Sequence, residues 1–120
     1  MKVKTSKLIG PALDWAVAKC EGCQWAEITN NPLHFKWIQK LIPHYTTDWS
    51  QGGPIIEQLR AYGKHRFIIE SDGDNVSILA WSSPYAFCNG YGPTTLIAAM
   101  RCYVASKLGD EVDIPEELNG

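Results

Sequence analysis

Apolar residues recur at helical spacing in two stretches of the chain and alternate with polar ones in others, and the order of these signals sets the expected fold. Leu13, Ala16, Val17 and Cys20 fall at i, i+3, i+4 and i+7, one face of a helix running from Leu8 to Cys20. Thr5 and Ser6 offer caps before it, Pro11 suits its first turn, and Gly22 is a stop. Ile97, Met100, Val104 and Leu108 keep the same period, so the spacing predicts the clearest helix from Pro93 to near Leu108, capped by Gly109. Its small residues Ala98, Cys102 and Ala105 share one side, where another element can pack closely. Lys2-Val3-Lys4 alternates like a short edge strand. Gln24 to Thr29 reads as a strand, and Arg66 to Ser71 with Asn75 to Trp81 reads as a hairpin across Asp72-Gly73-Asp74. Pro54 opens a short helix, Ile55 to Arg60. Periodicity is weak over 30–53, and 82–92 looks like a loop.

These elements predict an α+β fold: a small antiparallel sheet with two main helices and a short third helix packed on one face. The length of 120 residues suits one domain spanning 1–120, with an acidic tail over about 109–120 whose Val112, Ile114 and Leu118 can dock on the body.

Composition narrows the function classes. The formal net charge of −2 argues against nucleic acid as a partner, although Lys36, Lys40, Lys64, His65 and Arg66 offer a few cations. No run approaches a membrane span, and no secretion signal is visible, because Gly10-Pro11 interrupts the short apolar stretch at Leu8 and Ile9. The four cysteines are then expected to be reduced. Five Trp are spread along the chain, more aromatic bulk than one core of this size requires; this surplus predicts an apolar patch covered by a homodimer.

Candidate chemistry concentrates in Tyr45 to Glu57, which combines aromatics, hydroxyls, a carboxylate and Gly52-Gly53. Paired glycines let backbone approach a ligand, and a helix opening at Pro54 presents free N–H groups and a positive dipole end to phosphate or carboxylate. The expected ligand-binding set is therefore Tyr45, Thr47, Asp48, Trp49, Gln51, Gly52 and Gly53, with Trp49 or Tyr45 stacking on a base and Thr94 and Arg101 as helpers. The structural alternative is a turn in which Asp48 or Ser50 bonds local backbone and Trp49 anchors packing. Cys20-Glu21-Gly22-Cys23 has the spacing of a zinc knuckle, but its mate is absent, since Cys88 and Cys102 lie far apart in sequence. His44 near Asp48 suggests an acid–base pair without a nucleophile. No catalytic residue, metal or cofactor is expected.

Three strings resemble the NinX family, small proteins encoded in the nin region of lambdoid phages and in prophages of enteric bacteria. They are LDWAVAKCEG (Leu13–Gly22), TDWSQGGPIIE (Thr47–Glu57) and GPTTLIAAMRCYVASKLGDEVDIPEEL (Gly92–Leu118). With the first five residues they cover roughly half the chain, whereas 23–46 and 60–91 carry no such match. The family has no assigned activity, so the resemblance transfers no catalytic residue. It implies a phage accessory protein in the cytoplasm of the infected bacterial host, a class that often counters host defence. Two readings follow: a non-enzymatic protein sequestering a small anionic, nucleotide-derived immune signal, or a module that binds and inhibits a host or phage protein, with Trp25 and Trp37 as contact residues.

Overall fold

A computed structural model describes residues 2–22, 42–64, 66–83 and 86–115. The expected strand at Gln24 to Thr29, the residues Trp25, Trp37, Lys36, Lys40 and His65, and the acidic residues beyond Pro115 lie outside these. The described chain runs β1 (Lys2–Lys4), a single 3-10 turn (Thr5–Lys7), α1 (Gly10–Cys20), α2 (Trp49–Tyr62), β2 (Arg66–Asp72), β3 (Asn75–Ser83), β4 (Ala86–Gly92), α3 (Thr95–Leu108) and β5 (Glu111–Asp113). The fold is α+β, and the described residues form three helices and two small antiparallel sheets, β1-β5 and β2-β3-β4.

The hairpin forms where alternation and turn chemistry agree. Arg66 to Asp72 pairs with Asn75 to Trp81, and Gly73 takes φ 61° in the two-residue turn between them. β4 occupies a stretch that reads as a loop. Its inward positions are Cys88, Gly90 and Gly92, so it shows little apolar alternation. Glycine is required there because the strand lies directly on α3: a Cβ built on Gly90 collides with the Ala98 carbonyl oxygen and sits 2.6 Å from the Cys102 nitrogen. The small side of α3, Ala98 and Cys102, is where β4 approaches.

α3 is the centre of the fold. Ala98, Ala99, Met100, Cys102 and Val104 are all fully buried, because the helix packs on β3 and β4 and also against α1 and α2. α1 contributes Leu13, Ala16 and Val17 to the same core, and α2 contributes Ile55 and Leu59. A polar knot fastens the three helices: the Tyr103 hydroxyl donates to Glu21 Oε2 at 2.7 Å, and Gln58 Nε2 donates to Glu21 Oε1 at 3.2 Å.

Two boundaries differ from expectation. α1 starts at Gly10 with no side-chain cap, and Thr5 instead donates through Oγ1 to the Gly109 carbonyl at 2.6 Å. α2 starts at Trp49 rather than Pro54 and is 14 residues long, not a short helix. The Asp48 side chain caps it, and Pro54 sits in the helix interior. Beyond α3, the chain does not form only a docked tail: Glu111–Asp113 pairs with Lys2–Lys4, and Val112 and Ile114 are buried.

Candidate functional site

A cleft of about 460 Å³ opens between the β1-β5 pair and the junction of β4 with α3. One wall is built by the ends of β1 and β5. The antiparallel register sets Lys4 opposite Glu111, and the Thr5 N–H donates to the Asp110 carbonyl at 2.8 Å. Gly109, at φ 86°, ends α3 and turns the chain into that wall. The other wall is Asn89, Gly90 and Tyr91 of β4, with Arg101 and Ala105 of α3. Ser6 also faces the cleft.

Arg101 is the chemical centre of this cleft. Its Nε donates to the Leu8 carbonyl at 2.9 Å and its NH1 group donates to the Tyr91 carbonyl at 2.7 Å. Both acceptors are uncharged, and among the described residues no carboxylate pairs with the guanidinium. Burial pulls its pKa below the usual arginine value, the direction expected of a cation that has lost water without gaining a counter-charge. A guanidinium keeps its proton regardless, so the site carries a fixed, partly desolvated positive charge with donor capacity left over. The Tyr91 ring beside it is 62% exposed, an open face for stacking.

The structure separates Arg101 from most of the other expected residues. Tyr45, Thr47, Asp48, Trp49, Gln51, Gly52 and Gly53 cluster around the start of α2 and do not line the cleft. Tyr45 is buried, whereas Trp49 is 59% exposed. The Asp48 carboxylate accepts from the Ser50 N–H at 2.9 Å, from Ser50 Oγ at 2.7 Å and from Gln51 Nε2 at 2.9 Å. These bonds from Ser50 and Gln51 hold its pKa below the usual value. Gln51 Oε1 accepts from the His44 N–H at 2.8 Å, which fixes the preceding turn. The Gly52 N–H donates to the Asp48 carbonyl at 2.8 Å, and a Cβ at Gly52 collides with the Tyr45 carbonyl oxygen and with Leu96 Cδ2 at 2.7 Å. Gly52 is thus a close-packing residue between α2 and the first turn of α3. Thr94 caps α3, its Oγ1 accepting from the Ile97 N–H at 3.1 Å.

Sequence reasoning missed the cleft residues Lys4, Asn89 and Tyr91, because β4 reads as a loop and β5 as a tail. It also missed the meeting of Cys88 and Cys102. They are 14 residues apart, yet their sulfurs approach to 2.8 Å across the β4–α3 contact. The hydrogen bond to Cys88, together with full burial, pushes the Cys102 thiol up, and the same bond lowers Cys88. Burial, with the nearby Glu21 charge, pushes Cys20 up to about 12 against the lowering charges of Lys107 and Lys19, so it stays a protonated thiol. Among the described residues, no group of three or more His, Cys, Asp or Glu is placed to hold a metal ion.

Among the described residues, three helices packed on two small antiparallel sheets, with a polar cleft at their junction, define a small α+β protein. The chain belongs to the bacteriophage P22 NinX family, whose model matches residues 4–107. That match takes in the cleft residues from Lys4 to Ala105, together with the whole of α2, but not Asp110 and Glu111 of the β5 wall. No curated protein matches the chain. No helix among the described residues is long and apolar enough to cross a membrane.

Proposed function

We propose that this phage accessory protein is a non-enzymatic binder that holds a small anionic ligand in the cleft beside Arg101. The observation that carries the reading is the charge of Arg101, half-buried and held by two carbonyls with no carboxylate paired to it among the described residues. Lys4 supplies a second cation and Ser6 a hydroxyl. Tyr91 offers a ring to a base, and Asp110 and Glu111 can accept from ribose hydroxyls or exocyclic amines. A nucleotide-derived molecule carries all of these partners, and the cleft volume of about 460 Å³ falls in the range of small-molecule sites. The biological role is sequestration of a nucleotide immune signal in the cytoplasm of the infected cell. Calorimetry against cyclic dinucleotides and ADP-ribose derivatives tests this. Wild type binds at least one of them, and Arg101→Met, checked for folding by circular dichroism, weakens that binding by about tenfold or more, the scale of a lost charge-assisted contact. Folded wild type that gives no heat with any of them refutes the proposal.

A second reading is supported by the exposure of Trp49, Phe87 and Tyr91. Exposed aromatics on a rigid frame are the residues that anchor protein interfaces, which favours an inhibitory protein-binding module. Pull-down from infected cells with wild type and Trp49→Ala separates the two readings: a stoichiometric protein partner lost in the variant supports the second, and an eluate holding only small molecules supports the first.

A further inference from the structure

β2 is the edge of its sheet, and its sequence is self-complementary when turned end for end. It is seven residues long and pairs on one side with β3; among the described residues no strand pairs with its other side. Arg66, Glu70, Ser71 and Asp72 are exposed, and Ile69 is exposed to 47% although it points to the helix-bearing face of the sheet. The strand has neither a proline nor a lysine, and its pairing with β3 shows no register shift. It therefore lacks the proline, lysine and bulge that often guard a lone edge, and its own charges, Arg66, Glu70 and Asp72, are of both signs.

The turn fixes which backbone groups are available. Asp72 and Asn75 flank a two-residue turn, so they form the hydrogen-bonded pair that closes the hairpin, and pairs alternate from there. Asp72, Glu70, Ile68 and Arg66 then direct their N–H and C=O groups to β3, and Ser71, Ile69 and Phe67 direct theirs outward. A second copy of β2, antiparallel about a two-fold axis at Ile69, meets those outward groups in register. Ile69 then faces Ile69 of the second copy, Phe67 faces Ser71, and Arg66 faces Asp72. The Arg66–Asp72 pairs fall at positions without backbone bonds, where opposed side chains come closest. The two-fold axis forms each such pair twice.

We infer that the protein dimerises by joining β2 to β2 of a second copy, with Arg66 opposite Asp72 at both ends of the junction, so that the two three-stranded sheets become one. The occupant is a second copy because both the apolar centre and the charged ends match only when the strand meets itself. This interface uses none of the residues lining the Arg101 cleft, so it stands whether or not the ligand reading holds.

Gel filtration coupled to light scattering tests the inference on the full chain. Wild type elutes at twice the 13.4 kDa monomer mass at micromolar concentration. Arg66→Asp and Asp72→Arg each set like charges opposite one another, and each raises the dimer dissociation constant by about tenfold. The double variant Arg66→Asp/Asp72→Arg restores opposite charges and recovers the dimer, which a merely structural effect of either substitution would not do. Ile69→Lys, which sets two ammonium groups together on the axis, is monomeric with an unchanged circular dichroism spectrum. A wild-type mass of 13.4 kDa at high micromolar concentration overturns the inference, including the case in which the edge takes a strand from another protein. So does a dimer whose mass is indifferent to the single charge reversals.

Discussion

Replacing Gly90 with alanine adds one methyl group at the point where β4 lies on α3. An ideal Cβ there meets the Ala98 carbonyl oxygen, lies 2.6 Å from the Cys102 nitrogen and is 3.0 Å from the Cys102 Cβ. Ordinary carbon contacts are roughly 3.5–4.0 Å, so strand and helix must separate by about 1 Å. Two of the three obstructing atoms are backbone of a helix packed on every side, and neither can rotate away. The cost belongs at the upper end of overpacking, about 3 kcal/mol. Unfolding entropy of roughly 2.1 cal/mol/K per residue makes that a fall in Tm of roughly 12 °C for a chain of 120 residues. Gly53→Ala is the internal control. It lies in the interior of α2 with nothing from the rest of the chain within 4 Å of its Cβ position, so the helix-propensity gain of about 0.8 kcal/mol opposes the clash of an alanine Cβ with Pro54, and the melt stays within roughly 3 °C of wild type. Thermal melts by far-UV circular dichroism read both. A Gly90→Ala variant melting within about 3 °C of wild type refutes the close approach of β4 to α3.

Two further outcomes follow from buried groups. Burial raises the pKa of Asp14 above 3.8, against the lowering bonds from Thr46, whose N–H donates to Oδ1 at 2.9 Å. A carboxyl with a raised folded pKa adds stability below 3.8, and that contribution is lost as pH rises through the raised value. Asp14→Asn keeps an acceptor without the charge and melts at or above wild type at neutral pH, whereas Asp14→Ala strands the Thr46 N–H and costs about 1–3 kcal/mol. A neutral-pH melt of Asp14→Asn well below that of Asp14→Ala contradicts this. Val104 is fully enclosed, so Val104→Asp buries an unpaired charge and costs more than about 4 kcal/mol, abolishing cooperative melting; an unchanged melt shows that the register of α3 is wrong.

The sequence was most legible where local chemistry and burial agree. The period of Ile97, Met100 and Val104 and the Gly109 stop located α3, and Asp72-Gly73-Asp74 located the hairpin turn. β4 was illegible because its inward positions are two glycines and a cysteine, chosen for thinness against α3 rather than for apolar bulk. The start of α2 was mistaken because Gly52-Gly53-Pro54 reads as a loop. The overriding signal was Asp48 followed three residues later by Gln51, a capping pattern that begins a helix at Trp49. Of the candidate site, Arg101 was singled out from the sequence, but its lack of a carboxylate partner among the described residues was not. Its partners are instead the backbone carbonyls of Leu8, 93 residues away, and of Tyr91, which only the fold brings together. Cys88 and Cys102 show the same limit: spacing along the chain carries no information on a strand folded back over a helix.

The pairing of β1 with β5 has a consequence for when the fold can form. Thr5 is bonded to Gly109 and Asp110, a separation of 104 residues for the first of these, so in synthesis the Thr5 segment waits for more than a hundred residues before its partners emerge. Until Val112 arrives, Val3 has no strand opposite it, and the cleft wall carrying Lys4 and Glu111 does not exist. Such distant closure slows folding through the entropy of the loop it must shut. A chain cut short before Glu111 keeps most of its helical core yet lacks one side of the Arg101 cleft.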